Sequence, residues 1–341
     1  MKNRNVSVDL FRFLAALSIM FLHTCWGLDD SLLNAYPIIG IVIGRYPVIL
    51  FFTISGYYCF LQISKGRNAA KTQIRSLLKV YCVWTVVYYL MSFVLNVAAG
   101  YEPVGKFFAE RVLYFFTEGS YPHLWYVVSL IYVMILICLV YELCGEKGIR
   151  ILAAVSMILF MIGVLGTSYL PLGEQIPVLG DFYGWNYFVF RNIFCLGLPG
   201  VMFGYYIVRL LPVIEKRPKL AETGFFITSV LGMIEGMIVI QKGWISDFPS
   251  MFLMPFVLIF GMSCLIRHPL GQLESHAVFL KRMSSYIYFV HPAVIAVLGF
   301  LLQVTGVHLS YWMDYIIVAG LVLCSGIILM KIKRPWTKLF I

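Results

Sequence analysis

Two residues that can do chemistry, Arg12 and His23, lie eleven positions apart in an apolar segment that runs from Val6 to Gly27. On an α-helix this spacing places both side chains on one face, roughly 16 Å apart along the axis. An imidazole that titrates near neutrality can act as a general base or a nucleophile. An arginine in lipid costs roughly 2.5–3.5 kcal/mol, so we expect both groups to face the protein interior. This first helix is therefore the element that positions the chemistry.

Further polar residues lie within apolar segments of the chain, and each has a structural alternative to a functional role. Arginines near a helix end could extend to the membrane interface, and histidines could bond a loop carbonyl or a carbonyl freed by a proline. Arg12 could pair with Asp9, and His23 could be structural. We favour convergence of these side chains on one outward cavity. A structural role for any one of them is plausible, but a chance meeting of several at one place is much less so. Besides Arg12 and His23, these residues are Arg45, His123, Arg191 and His291.

A metal site is the weaker interpretation of the histidines. His23, His123 and His291 could form a triad, but no carboxylate or cysteine has supporting spacing. We therefore expect no metal and no permanently bound cofactor.

The composition indicates an integral membrane protein. Hydrophobic residues make up 61% of the chain and charged residues 12%, against roughly 45–50% and ~25% in soluble domains. The eight cysteines show no CxxC spacing, which predicts buried free thiols. The first apolar segment has no small-residue cleavage site, so we expect no cleavable signal peptide.

The apolar segments predict an all-α polytopic membrane protein of about ten transmembrane helices forming one domain over residues 1–341. Twenty lysines and arginines fall on the side of the N-terminus and three on the other, while Arg12, Arg45 and Arg191 lie within the spans. The positive-inside rule then places both termini in the cytoplasm. This distribution also explains the net charge of +10 without nucleic acid. The predicted spans are 7–27, 41–62, 77–99, 122–143, 150–170, 186–208, 222–241, 248–266, 283–303 and 313–332.

Two of the predicted loops carry features of their own. The outer loop 100–121 contains the amphipathic segment Val104–Phe116, which is expected to lie along the interface. The cytoplasmic loop before the third span is basic. Its cations indicate either topology with anionic lipid or a surface that binds phosphate groups. These cations are Lys65, Arg67, Lys71, Arg75 and Lys79.

At these positions the chain resembles membrane acyltransferase family 3, whose first helix carries Arg or Lys, ten residues and then His. Arg12 and His23 match that pattern. A proline that family members commonly have near the start of the third helix is replaced by Cys82. The stretches QIRSLLKVY, HLWYV and RNIF also resemble the membrane half of vancomycin-type serine racemases. Further pieces similar to the family are FFTISGYY (Phe51–Tyr58), Lys79–Tyr81, HLWYV (His123–Val127), FGYY (Phe203–Tyr206) and FVHP (Phe289–Pro292).

The resemblance implies O-acyl transfer, with acetyl as the expected group, from cytoplasmic acyl-CoA to an extracytoplasmic hydroxyl of a cell-envelope glycan. It implies that His23 acts as base or acyl carrier and that Arg12 has the family's arginine role. From the residues we expect Arg191 or Arg45 to stabilise the thioester oxygen. We expect Arg12 and the strip Lys71–Lys79, which includes Arg75, to bind CoA phosphates. His123, Trp125 and His291 are expected to contact substrate. A bacterial plasma membrane is the expected location. The rival hypotheses are a transporter for a small amino acid such as serine and an interaction partner without catalysis.

Overall fold

The computed structural model describes residues 5–24, 37–64, 69–98, 100, 102–184, 187–244 and 250–332, with the backbone alone at 37–45, 98 and 184. Most of these residues are helical. No strand occurs among these residues. Short π-helical or 3-10 turns lie at Phe93–Ala98, Pro122–Leu124, Arg191–Gly197 and Gly271–His276. The helices are α1 (Val6–Thr24), α2 (Pro37–Ile63), α3 (Ala69–Ser92), α4 (Val104–Phe116), α5 (Trp125–Leu165), α6 (Leu170–Gly173), α7 (Pro177–Gly184), α8 (Tyr187–Phe190), α9 (Leu198–Lys216), α10 (Lys219–Gln241), α11 (Met254–Arg267), α12 (Ala277–Thr305) and α13 (Tyr311–Lys331).

Eight helical segments within this described part are long and apolar enough to cross a membrane, so the chain is a multi-pass integral membrane protein. The segment Pro122–Leu165 covers two of the predicted spans, because Gly145 (φ 58°, ψ −149°) breaks the helical path inside α5. Helix α11 has 14 residues and is shorter than a full span. The count of about ten spans and the cytoplasmic termini stay predictions.

Helix α3 begins at Ala69, eight residues before the predicted start at 77. The prediction that Lys71 and Arg75 lie in a loop is therefore wrong, because they occupy the first two turns of this helix. Lys79 lies within both the predicted span and the observed helix. Lys65 and Arg67 lie outside the described residues.

Helix α4 runs beside α3 in the opposite direction. The ring of Phe107 lies 5.6 Å from Phe93, and the Tyr81 hydroxyl donates to the Phe115 carbonyl at 2.7 Å. Between these points, Tyr89 donates to the carbonyl of Arg111. Residue numbers rise along α4 and fall along α3 from one contact to the next, so the two segments are antiparallel neighbours. The expectation that Val104–Phe116 lies flat along the interface is therefore wrong, because hydrogen bonds from α3 hold the segment alongside a spanning helix.

The crossing of α2 and α9 depends on two glycines that belong to separate sequence motifs. A Cβ on Gly56 would lie 2.0 Å from the Val201 carbonyl oxygen, and one on Gly204 would lie 2.1 Å from the Tyr57 nitrogen. Small residues permit this backbone approach between membrane helices. The glycines of FFTISGYY and FGYY therefore meet in space.

Glu235, an acidic residue within α10, holds the start of α11. Its Oε1 accepts from the Phe252 N–H at 2.7 Å and from the Tyr169 hydroxyl at 2.9 Å. Its Oε2 accepts from the Leu253 N–H at 2.9 Å. The first N–H groups of a helix lack partners inside it, so the carboxylate supplies acceptors where the chain enters α11.

The cysteines are only partly as predicted. Cys59 and Cys195 are buried free thiols, whereas Cys82, Cys144 and Cys324 are exposed. The prediction of burial is wrong for these three, because they lie on outward faces of their helices. Cys25 lies outside the described residues.

Candidate active site

His23 lies in the last turn of α1, and this helix packs against α12 and α2. The buried stripe of α1 below the imidazole contains Ala15, Ala16 and Ile19. The centre of the His23 ring lies 5.1 Å from the centre of the His291 ring, with 78° between the ring planes. The packing of α1 against α12 therefore brings two imidazoles into contact.

His291 is fully buried on α12, and its ring orientation is fixed by its own helix. Its Nδ1 lies 2.7 Å from the carbonyl oxygen of Ile287. A carbonyl only accepts, so we assign the hydrogen of the neutral ring to Nδ1 and the lone pair to Nε2. The buried Nε2 atom has no hydrogen-bond partner among the described residues. The tether therefore leaves one unused acceptor beside His23.

His123 forms the third member of the group, 5.8 Å from His291 between ring centres. It sits in the turn Pro122–Leu124 that leads from the α4 loop into α5, and only 3% of its surface is exposed. Both of its ring nitrogens are buried without a hydrogen-bond partner among the described residues. Buried polar atoms are normally paired, so the group can bind a polar ligand.

Tyrosines surround these imidazoles and fix the elements that carry them. The rings of Tyr88, Tyr121 and Tyr288 lie 4.9, 5.7 and 5.4 Å from the His123 ring. The Tyr88 hydroxyl donates to the Phe289 carbonyl at 2.6 Å, which joins α3 to α12. The Tyr288 hydroxyl donates to the carbonyl of His123, which joins α12 to the start of α5. Sequence reasoning missed these tyrosines, although Tyr288 precedes His291 by three residues and shares its helix face.

Arg12 lies toward the other end of α1, and a row of aromatic rings leads from it to the histidines. Its guanidinium carbon lies 5.7 Å from the centre of the Phe51 ring. Phe51 lies 6.2 Å from Tyr288, which is in turn the neighbour of His123. The two ends of the Arg12–His23 pattern therefore border one interior column of aromatic side chains.

The other predicted site residues have described contacts outside the group of three histidines. Arg191 is buried in the π-helical turn before α9, where its Nε and Nη2 donate to the Asn192 side-chain oxygen at 3.2 and 3.0 Å. Its guanidinium carbon lies 4.7 Å from the Phe188 ring. Trp125 is buried against Phe52 at 6.2 Å rather than against an imidazole. The contacts described for Arg191 and Trp125 are thus with neighbours other than the histidines. For Arg45, the structure describes only a backbone position in α2.

The basic residues of α3 face outward. Arg75 and Lys79 are exposed, and their spacing places them in the same helical stripe as Val86 and Leu90, which are 58% and 65% exposed. Lys71, one turn before Arg75, pairs with Glu142 of α5 at 2.5 Å. The structure therefore separates this stripe from the interior column that holds Arg12.

The three imidazoles offer acid–base and nucleophilic groups. Among the described residues, no group of three or more His, Cys, Asp or Glu side chains is arranged to hold a metal ion. Among the described residues, three buried ring nitrogens of this group have no hydrogen-bond partner, namely both nitrogens of His123 and the Nε2 of His291. In neutral rings, His123 has one nitrogen that donates and one that accepts, and the Nε2 of His291 accepts.

The chain is similar to several known proteins. A family model described as Acyltransferase domain matches residues 5–331. The chain is 27% identical to a serine/alanine racemase of Enterococcus gallinarum and 24% identical to an amino-acid racemase of Enterococcus faecalis. Both matches cover 98% of this chain and 47% of the relative, so the chain spans about half the length of these curated relatives. No solved structure matches.

Proposed function

Since the chain belongs to the acyltransferase 3 family, we propose that it moves an acyl group from cytoplasmic acyl-CoA to a hydroxyl group on the outer side of the membrane. Acetyl is the acyl group that we propose, and a cell-envelope glycan is the acceptor. The observation that carries the proposal is the contact of His23 with a second buried imidazole at 5.1 Å, inside a group of three histidines.

In the proposed reaction, His23 removes the proton of the acceptor hydroxyl while the oxygen attacks the thioester carbon. The C–O bond of the new ester forms, the C–S bond breaks, and His23 passes the proton to the sulfur of the departing CoA. Alternatively, His23 itself attacks the thioester and carries the acyl group before the acceptor takes it. Both routes consume one acyl-CoA and one hydroxyl and release one CoA.

Arg12 supports a donor that enters from the cytoplasmic end. Its guanidinium lies about three helical turns from His23, and an Arg is a strong partner for phosphate or a polarised carbonyl. The aromatic column between Arg12 and the imidazoles suits an apolar acyl chain or the pantetheine arm of acyl-CoA. We propose that the Arg191 guanidinium, which is buried against Asn192 and Phe188, stabilises the negative charge that develops on the thioester oxygen.

The outward stripe of Arg75 and Lys79 fits phosphate groups at the cytoplasmic surface, either of CoA or of anionic lipid. Charge reversal of the stripe distinguishes these two partners, because only contact with CoA makes CoA affinity depend on Arg75 and Lys79. Transport of a small amino acid is not favoured by any observation on the described residues, and the relatives reported are racemases. The racemase activity belongs to proteins about twice as long as this chain.

The proposed function is tested by incubating purified protein with labelled acetyl-CoA. The expected result is release of free CoA together with either a labelled hydroxyl acceptor or a transient label on His23. A protein that releases no CoA above the background of a His23→Ala variant would overturn the proposal.

A further inference from the structure

We propose that His291 is a positioning residue that accepts a hydrogen bond from His23 through its Nε2 atom and thereby selects the tautomer in which His23 acts as a base. This inference rests on the proposed function.

The tether gives the hydrogen bond its direction. The neutral His291 ring uses its single N–H on the carbonyl of Ile287 at 2.7 Å. Its remaining nitrogen can therefore only accept, which excludes His291 in this form as a donor to a thioester oxygen. An acceptor fully removed from solvent needs an N–H or O–H nearby, because an unpaired buried polar atom is costly.

The separation of the rings makes His23 the fitting donor. A hydrogen bond of about 3 Å between nitrogens, with about 1.1 Å from each nitrogen to its ring centre, puts two imidazole centres roughly 5 Å apart. The observed separation is 5.1 Å. His291 is the immobile partner, since it is tethered and fully buried, whereas His23 is only half-buried and can turn its ring.

The consequence concerns the other nitrogen of His23. When one His23 nitrogen donates its hydrogen to His291, the second nitrogen carries the lone pair and is the base. During transfer, the acceptor proton goes to that second nitrogen and then to the CoA sulfur. His291 gains and loses no proton in the cycle; its bond holds the ring and stabilises the positive charge that His23 briefly bears. A third group that orients the base serves the same purpose in other nucleophile–base pairs.

Two substitutions at one position separate this role from a structural one. His291→Gln carries its terminal amide near the former Nε2, so its oxygen can still accept from His23. His291→Asn carries its amide near the former Nδ1, so it keeps the tether to Ile287 and loses the acceptor. Ser284→Ala is the matched control on the same helix, since Ser284 is fully buried and its hydroxyl bonds only the Lys281 carbonyl at 2.8 Å among the described contacts.

The measurement is steady-state release of CoA from acetyl-CoA by each purified variant, together with its thermal unfolding. We expect His291→Asn to lower kcat about 10- to 100-fold with little change in KM, as for loss of a group that orients a site residue. We expect His291→Gln to recover kcat at least about tenfold over Asn, and Ser284→Ala to match wild type. The rates of the Asn and Gln variants are compared when their unfolding temperatures agree. The test therefore does not need His291→Ala, which could be unstable.

An Asn variant as active as the Gln variant, or more active, would overturn the inference, because the tether alone would then explain the residue. The proposed function would still be supported in that case if wild type released more CoA than His23→Ala. If wild type itself releases no more CoA than His23→Ala, the proposed function fails, and the role of His291 fails with it.

Discussion

The Glu235 carboxylate provides a prediction whose magnitude follows from its contacts. It is 8% exposed and accepts three hydrogen bonds, from Tyr169, Phe252 and Leu253, at 2.7–2.9 Å. Burial, followed by the charge of the nearby carboxylate, raises the pKa of Tyr169, so its hydroxyl stays a donor at neutral pH. Replacing Glu235 with alanine removes all three acceptors and leaves two N–H groups at the start of α11 without them.

The expected loss is set by the environment of these bonds. A hydrogen bond to a charged group contributes about 1.5–3 kcal/mol in soluble proteins. Bonds between helices in a membrane protein average only roughly 0.6 kcal/mol, with a maximum near 1.7. Three bonds on the membrane scale give a loss of roughly 2–5 kcal/mol for Glu235→Ala. Glu235→Gln keeps the oxygen that serves Tyr169 and Phe252 but turns an NH₂ group toward Leu253, so we expect about a third of that loss.

The assay is thermal unfolding in one detergent at one scan rate. The matched control is Glu222→Gln on the same helix, where Glu222 is 52% exposed and lies 3.8 Å from Arg267 and 3.1 Å from His268. Exposed pairs contribute about 0–1 kcal/mol, so this control should unfold close to wild type. If Glu235→Ala unfolded at the temperature of the control, the carboxylate would not hold α11.

Two further predictions concern orientation and the donor surface. In intact cells expressing an otherwise cysteine-free protein, Lys106→Cys should react with an impermeant thiol reagent and a cysteine within 64–79 should not; the reverse pattern would refute cytoplasmic termini. Reversing the charge of Arg75 and Lys79 should weaken acetyl-CoA binding, and the wild-type affinity should fall with added salt, if these residues contact CoA phosphates. Lys147→Glu, an exposed substitution of the same charge on the predicted cytoplasmic side, is the control. Unchanged CoA affinity in the double variant would assign the stripe to lipid or topology.

Helices could be predicted from the sequence, because an apolar segment in lipid must form all its backbone hydrogen bonds within itself. The histidines could also be selected, since a polar group in an apolar segment is costly and therefore informative. The contact between His23 and His291 could not be predicted, because it depends on the packing of α1 against α12. No local pattern encodes which faces of two distant helices meet.

The features that sequence reasoning misjudged all depend on contacts between distant segments. The amphipathic pattern of Val104–Phe116 fits a helix on the surface equally well as one beside α3, and only the hydrogen bonds from Tyr81 and Tyr89 decide between them. No role for Glu235 could be predicted from the sequence, since two of its partners are backbone N–H groups that follow it by 17 and 18 positions. Arg75 was assigned to a loop, for which the sequence does not predict the direction that a side chain faces.

The central claim is that His23 does the chemistry of acyl transfer, and its most direct test is His23→Gln. Glutamine retains a hydrogen-bonding side chain but cannot take up a proton near neutrality, so it separates base or acyl-carrier chemistry from simple binding. The account predicts that purified His23→Gln binds acetyl-CoA nearly as well as wild type and loses nearly all release of CoA, because the work of His23 is done in the transition state. Near-normal acyl transfer by His23→Gln would contradict the account, since hydrogen bonding would then be all that position 23 provides.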